Sequence, residues 1–436
     1  MTDMLRSMMR FSWAMSLFGA RQAQEMFQAF ATAQTPRRAA GAFDAVADTA
    51  AEQLGGAFGQ TYRTVDRLQG QIIDGVFGAL DPAVDLTRDM TSKTMVRGSL
   101  AMLRQATGLL EAALPGQQTG WCELRNKLEA FENFQYVGQI LGFADLAAAD
   151  LERQVGEAGG SGPYLRLWLT EGLGFAYAET AWHTGRPDQL LRLEGLDRLP
   201  EECLIPLHTG MGLALARHTL PDLLAASTQR IPGELGRFAR LCENNARDGF
   251  ALAVFEALGL MVRQLAPERV TEIDAALAAD EASGRRGAFW HGLGRGLYFV
   301  VSQVFPGSTG RAVAKVRQEA SSDLARLNAL SGLAWALTLV NFRQPQVLED
   351  FLVEQSFGDE EGAAVAAGIA AATLLWRDAA GEDSYLEAFR AHQPPAAHAE
   401  IWQRWVNQPC AAAGQGWAAL KSQSGAGEIF HYRPGG

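Results

Sequence analysis

The residues with the clearest chemical potential lie in the segment 287–303, GAFWHGLGRGLYFVVSQ. His291 and Arg295 are four residues apart, so on a helix they share one face. A buried Arg295 needs an anionic partner, because an unpaired charge inside a protein is very costly. A bound carboxylate or phosphate would supply that partner, and so would an internal Asp or Glu. The sequence alone leaves both alternatives open.

Glu256 is an acid inside an otherwise apolar run, and it is a further candidate for a polar site. Four large aromatic residues are candidates to line the apolar part of a pocket: Trp168, Trp290, Tyr298 and Trp335. Together with His291 and Arg295, they predict a site for a molecule with an apolar body and an anionic end. Glu171 and Glu179 lie two helical turns apart. They fit either a pair of carboxylates for acid–base catalysis or an ordinary solvated helix edge.

Sequence motifs for metal binding and for catalysis are absent. His183, His208 and His218 lie near predicted helix ends, but no HExxH or HxH spacing occurs, so we predict no metal site. The run Gly292–Gly296, GLGRG, lacks the preceding strand and βαβ unit of a dinucleotide-binding loop. Neither GxSxG nor GxxxxGK[ST] is present. We therefore name no catalytic residue and predict no cofactor.

Several glycines within one helix require a structural reason, because each costs about 1 kcal/mol relative to alanine. Close approach of two helix backbones is the usual one. An offset of 122 positions relates four pairs of residues: Trp168 and Trp290, Gly172 and Gly294, Gly174 and Gly296, Gly210 and Gly332. The pattern predicts a tandem helical duplication over about 163–267 and 284–379. It would bring two glycine-rich helices together near a pseudo-two-fold axis.

The composition favours an all-α fold. Hydrophobic residues make up 48% of the chain and charged residues 20%, and Ala and Gly are abundant while Thr and Ile are sparse. We divide the chain into an N-terminal region of amphipathic helices, 1–115, and a helical domain, 116–436. That domain holds the internal repeat and a C-terminal cap, whose last residues we expect to be extended or loose.

The first helix, within 1–33, carries a Met and Phe stripe through Met4, Met8, Phe11, Met15 and Phe18. Such a stripe packs on its own domain, or docks on a membrane surface or on a partner protein. The long uncharged runs 327–342 and 362–376 fall short of the roughly 18–20 residues that span a bilayer.

Charge and cysteine content exclude several classes of protein. The net charge of −11 argues against a nucleic-acid partner. The 4 cysteines are widely spaced, which is typical of reduced, buried thiols rather than of a disulfide framework. No clean signal peptide is present, so we expect a cytoplasmic location. Peripheral attachment to a membrane or granule surface is the alternative.

Three segments, FEALGLMVRQLAP, FWHGLGRGLYF and SGLAWALTLVNFRQP, resemble a bacterial domain-of-unknown-function family associated with gene clusters for enediyne-type polyketides. The resemblance covers roughly 120–430. It implies a cytoplasmic protein that holds or works on a hydrophobic polyene-like or acyl intermediate. No catalytic residue is carried over from that family.

These observations lead to two hypotheses about function. The first is binding or processing of a hydrophobic, anionic small molecule in bacterial secondary metabolism. The second is a non-catalytic scaffold that docks through its N-terminal helix to a membrane, a granule or a partner protein. The oligomeric state is not predicted.

Overall fold

The computed structural model describes residues 118–140, 146, 148–185, 187–193, 195–279, 284–299, 309–381, 383–422 and 425–433. Within these ranges the regular elements are helices, and the predicted all-α class is confirmed there. The predictions for the N-terminal region 1–115, including the stripe within 1–33, lie outside the described residues.

The helices are given in chain order. The first eight are α1 Gln118–Ile140, α2 Ala148–Ala158, α3 Pro163–His183, α4 Leu204–Ala225, α5 Ile231–Asn245, α6 Ala251–Leu265, α7 Val270–Leu277 and α8 Arg285–Phe299. The others are α9 Thr309–Glu319, α10 Asp323–Val340, α11 Pro345–Gln355, α12 Asp359–Ala380, α13 Ser384–Arg390, α14 Ala399–Trp402 and α15 Gln408–Ser422. The π-helical turn Gln403–Asn407 joins the last two, and the 3₁₀ turn Ala426–Phe430 follows them.

Local signals explain several of these helix ends. The Ser322 hydroxyl caps α10 by accepting from the Ala325 amide, and the Asp383 carboxylate caps α13 by accepting from the Leu386 amide. Pro163 and Pro345 occupy the first positions of α3 and α11, where the missing amide hydrogen costs nothing. Helix α12 ends at Ala380 and is followed by Gly381, whose φ of 71° suits glycine.

Six helices build the core: α3, α4, α6, α8, α10 and α12. Each of them packs against the next in this order. The series closes on itself, because α12 also contacts α3, with the rings of Trp376 and Tyr164 6.2 Å apart. The amphipathic helices α5, α7, α9 and α11 lie in the connections, and α1 packs on α3. Side chains of the six helices therefore meet in a shared interior.

The neighbouring core helices α8 and α10 run in the same direction. The start of α8 meets the region just before α10, where Arg286 donates to the Ser322 hydroxyl at 3.3 Å. Their far ends meet as well, where Asn341 donates to the Tyr298 hydroxyl at 2.8 Å. The intervening α9 makes this possible, because two parallel helices need a connection that returns to the starting end.

Glycines lie where the core helices cross. In α6 and α8, a Cβ on Gly259 would collide with the Phe289 carbonyl, and a Cβ on Gly292 with the Glu256 carbonyl. In α8 and α10, Gly294 and Gly332 lie in the same way against the carbonyls of Ala329 and His291. Helix backbones therefore approach closely at glycines, as predicted, but the glycines of α8 lie against α6 and α10 rather than against the other predicted glycine-rich helix, α3.

The crossing of α3 and α4 repeats the arrangement of α8 and α10. Gly174 lies against the Leu207 carbonyl, and Gly210 lies against the Glu171 carbonyl. By these contacts Gly174 matches Gly294, so α3 and α8 are offset by 120 positions, whereas Gly210 and Gly332 keep the offset of 122. By the same contacts His291 is matched by Glu171, whereas the offset of 122 positions would match it with Leu169. The duplication itself stays a prediction.

The C-terminal tail is anchored over 425–433, and the last three residues, 434–436, for which we expect a loose end, lie outside the described residues. Phe430 is completely buried. The Gly427 amide donates to the Gly249 carbonyl at 2.8 Å, and the Tyr432 amide donates to the Asn328 side chain at 2.7 Å. An aromatic side chain in the tail thus extends into the core, which outweighs the entropy of a free end.

Among the described residues, α12 is long and apolar enough to cross a membrane by length and composition alone, and 72% of its most apolar window is buried inside the protein.

Candidate functional site

Four of the seven predicted binding residues meet in the shared interior: Glu256, His291, Arg295 and Trp335. They come from three successive core helices, α6, α8 and α10. Glu171, on α3, joins them from across the interior. We call these five residues the central cluster. Its side chains are almost completely buried, with Glu256 and His291 at 0% exposure.

Arg295 is paired with two carboxylates. Its guanidinium donates to Glu171, and its Nη1 donates to Glu256 Oε2 at 3.3 Å. The guanidinium also lies over the Trp335 ring, 5.1 Å from the centroid. Of the two alternatives for its anionic partner, the internal acid is the one observed. The sequence pattern indicates Glu171 only as one member of a pair of carboxylates with Glu179, and not as a partner of Arg295.

Burial by itself lowers the pKa of Arg295, but the two adjacent carboxylates outweigh it and hold the pKa above its ordinary value. The guanidinium is therefore charged at any physiological pH. One buried cation serves two carboxylates, so the loss of Arg295 would leave two buried charges without their counter-ion.

His291 connects the charged part of the central cluster to an aromatic group. Its Nδ1 lies 3.2 Å from Glu256 Oε1. Its ring makes edge contacts with Trp335 and Phe430, at centroid distances of 6.0 and 5.3 Å. Its Nε2 is buried and has no hydrogen-bond partner among the described residues. A carboxylate that orients an imidazole is a component of acid–base sites, but these side chains are enclosed by protein.

The other three predicted residues lie apart from the central cluster. Trp168 packs edge-on against Tyr164, with centroids 6.0 Å apart. Trp290 donates through Nε1 to Asp274 at 2.6 Å. Tyr298 accepts from Asn341 at the far end of α8. One pocket lined by all seven residues is therefore not what the fold builds; these three have structural partners of their own.

Tyr298 belongs to a second buried polar group that the sequence did not indicate. The Lys127 ammonium, from α1, lies 3.9 Å from the Tyr298 ring centroid and 2.9 Å from Glu123 Oε1. The Thr309 hydroxyl donates to that same carboxylate at 2.6 Å. Burial lowers the pKa of Lys127, although Glu123 opposes the shift, and burial raises the pKa of Tyr298 well above its ordinary range. This group fixes α1 against α8.

Glu171 and Glu179 do not form a pair. Glu171 points to Arg295, whereas Glu179 accepts from Arg217 of α4 at 2.6 Å. Both carboxylates are buried, so the solvated-edge interpretation is wrong as well.

A pocket of about 200 Å³ lies beside α5 and α6. Its apolar lining comes from Ala239, Cys242, Ala251, Leu252 and Phe255. Its charged lining comes from Glu243, Arg285 and, from the C-terminal tail, Glu428. The central cluster does not contribute to it, although Phe255 is the chain neighbour of Glu256. The sequence contained no signal for it, since its walls come from four separate segments.

No family model, curated protein or solved structure matches this chain at a significant level.

Proposed function

We propose that this protein binds a small hydrophobic molecule in the pocket beside α5 and α6. The observation that carries the proposal is the pocket itself, about 200 Å³ in volume, whose lining combines aliphatic, aromatic and thiol groups with the charged side chains of Glu243, Arg285 and Glu428. A volume of this order holds a single ring or the end of an acyl chain, so a longer molecule would extend outside.

Cys242 and Phe255 give the pocket walls an apolar part that suits the apolar body of a ligand. Burial raises the pKa of the Cys242 thiol well above its ordinary value, so that side chain is neutral and acts as a small apolar surface. Phe255 is almost fully buried behind the pocket and provides a flat wall. Ligand sites combine such apolar surfaces with polar groups that orient the molecule, and in this pocket the polar part of the accessible lining is the larger one.

An acidic end of the molecule would contact Arg285. This guanidinium is the cation of the pocket lining, and it reaches Glu243 Oε1 at 2.5 Å. A ligand carboxylate would share Arg285 with Glu243 near the protein surface. Arg295 is less suited to that role, because Glu171 and Glu256 already neutralise it inside the protein.

We place the ligand in the class suggested by the sequence resemblance, a polyketide, polyene or acyl intermediate of bacterial secondary metabolism. The proposal concerns binding, and it includes no reaction step. The support comes from the shape and chemistry of the pocket together with that resemblance.

Titration with a homologous series of straight-chain carboxylic acids, and with the matching alcohols, tests the proposal. Binding is followed by isothermal titration calorimetry, and native mass spectrometry of protein from its own host identifies any molecule that co-purifies. We expect affinity to rise with chain length until the pocket is full, at about 0.8 kcal/mol per buried methylene.

Three variants give the test its specificity. Ala251→Trp fills the pocket and should abolish binding. Arg285→Gln should weaken the acids about tenfold and leave the alcohols unchanged. Arg240→Gln removes one exposed cation from α5 outside the pocket lining, and should change neither. Acid binding that survives Ala251→Trp would overturn the proposal.

A further inference from the structure

Glu179, His183 and His218 converge at one end of α3 and α4. Glu179 and His183 are four residues apart in the last turn of α3, and His218 comes from α4. One ligand atom from each of the three side chains lies within 4.8 Å of the other two. Glu179 is buried at 1% exposure, His218 is at 13%, and His183 is at 41% and reaches solvent. The carboxylate of this group therefore lies in the core, and the group is accessible to solvent at His183.

The distances within this group suit a shared metal ion. His218 Nε2 lies 3.0 Å from Glu179 Oε1, and His183 Nε2 lies 3.7 Å from Glu179 Oε2. Ligands bound at the usual zinc distances of roughly 2.0–2.2 Å stand about 3.3 Å apart in a tetrahedral site. The observed separations bracket that value, so small side-chain rotations bring the three atoms to a common centre.

Two of the ligand atoms lack a hydrogen bond. Glu179 Oε1 and His218 Nε2 are both buried polar atoms without a hydrogen-bond partner among the described residues. They face each other at 3.0 Å, but not with the geometry of a hydrogen bond. A metal ion bound to both would satisfy them together.

Neighbouring side chains hold these ligands in place. Arg217 donates to Glu179 Oε2 at 2.6 Å and fixes the orientation of the carboxylate. The Trp182 ring stacks on His218, with centroids 4.6 Å apart and an interplanar angle of 8°. Hydrogen bonds that orient a ligating carboxylate are typical of metal sites. The carbonyl end of α3 also favours a cation, which offsets part of the repulsion from Arg217.

We propose that Glu179, His183 and His218 bind a divalent transition-metal ion of the zinc class. Two imidazoles and one carboxylate are a ligand set of zinc and iron(II) sites that keep open positions for water or a substrate. Here those positions would face solvent beside His183. This site is separate from the pocket of the proposed function and does not depend on it.

Calorimetric titration of untagged, chelator-treated protein with Zn²⁺ tests this proposal. Titration with Co²⁺ adds a visible absorption band that reports the coordination geometry. We expect one ion per chain. His183→Gln and His218→Gln should each weaken Zn²⁺ binding about 100-fold or more. His183 is the cleaner position, because it is partly exposed and its replacement leaves the pair of Glu179 and Arg217 intact.

His398→Gln is the matched control. His398 is also a partly exposed histidine beside a buried glutamate, with its Nδ1 2.6 Å from Glu349 Oε1. Zn²⁺ binding should be unchanged in this variant, and circular dichroism should show all three variants to be folded. Wild-type protein that fails to bind Zn²⁺ at 1:1 would overturn the proposal. Equal affinities in the wild type and in His183→Gln would overturn it too.

Discussion

Arg295 is a buried cation whose two carboxylate partners come from α3 and α6. Its energetic role follows from the cost of separating such groups. A buried ion pair adds little net stability compared with an apolar core, whereas removal of one partner leaves an uncompensated charge. Arg295 therefore adds little stability of its own, but α3, α6 and α8 must pack correctly for its charge to be paired.

The substitution Arg295→Met should lower the free energy of unfolding by about 3–5 kcal/mol, because Glu171 and Glu256 lose their counter-ion while buried. Urea denaturation measures the change. The triple variant Arg295→Met, Glu171→Gln, Glu256→Gln should lose less, since no unpaired charge is left. A single variant within 1 kcal/mol of the wild type would contradict the central role of this pairing.

His208 provides a prediction about acid stability. Its Nδ1 hydrogen donates to the Leu204 carbonyl at 2.5 Å, and its Nε2 accepts from the Arg247 amide at 3.0 Å. The hydrogen bond accepted by Nε2 requires the neutral ring. Burial lowers the pKa of His208 to about 3, and the hydrogen bond to Leu204, which raises the pKa, opposes this shift only in part.

The unfolded chain protonates His208 near pH 6.5, and the folded protein does so only near pH 3. The stability contribution of the neutral ring is full above pH 6.5 and is lost as the pH falls towards 3, about 2 kcal/mol of it by pH 5. His208→Gln preserves a donor and an acceptor without titrating. Urea midpoints from pH 7 to 4 should fall less steeply for this variant, and parallel curves would exclude the assignment.

At the scale of elements, the glycine crossings determine how closely the core helices pack. Gly332 lies against the His291 carbonyl of α8, where an added Cβ meets backbone rather than a movable side chain. Gly416, in α15, has open space around the position of a Cβ. The same substitution therefore has opposite consequences at the two positions.

Gly332→Ala should destabilise the protein by about 1–3 kcal/mol through overpacking, despite the higher helix propensity of alanine. Gly416→Ala should stabilise it by up to about 1 kcal/mol, because only the propensity changes. Thermal and urea unfolding of both variants measure the difference. If Gly332→Ala also stabilised the protein, α8 and α10 would separate more easily than their contacts indicate.

At the scale of the whole molecule, the C-terminal tail completes the interior. Phe430 contacts His291 and Trp335 of the central cluster, and Glu428 lines the pocket beside α5 and α6. The end of the chain thus touches both the central cluster and the candidate ligand pocket. The ordered conformation of the tail therefore depends on the packing of helices that lie much earlier in the sequence.

Phe430→Ala should cost about 3–5 kcal/mol of stability, because it removes a fully buried ring next to two aromatic partners. Arg433→Ala, an exposed position of the same tail, is the control and should cost less than about 0.5 kcal/mol. Differential scanning calorimetry separates the two. Equal melting temperatures for both variants would mean that the tail adds nothing to the core.

The sequence by itself determined the helical class and the presence of close helix crossings. Abundant Ala with sparse Thr and Ile predicts helices, and the cost of glycine in a helix predicts a packing reason, as at Gly294 and Gly332. It also named Glu256, His291 and Arg295 as candidates for a polar binding site, and it required an anionic partner for a buried Arg295. These are local arguments, and local arguments hold wherever backbone propensity and solvation dominate.

Only the tertiary structure decided which groups meet. Glu171 and Arg295 are 124 positions apart, and no periodicity relates them. The convergence of Glu179 and His183 with His218, and the walls of the pocket, likewise depend on the order in which six helices pack. That order is set by loop lengths and by the shape of each helix face summed over the whole core. Spacing along one helix does not contain this information, so partners, pockets and ligand geometry emerge only when the chain is folded.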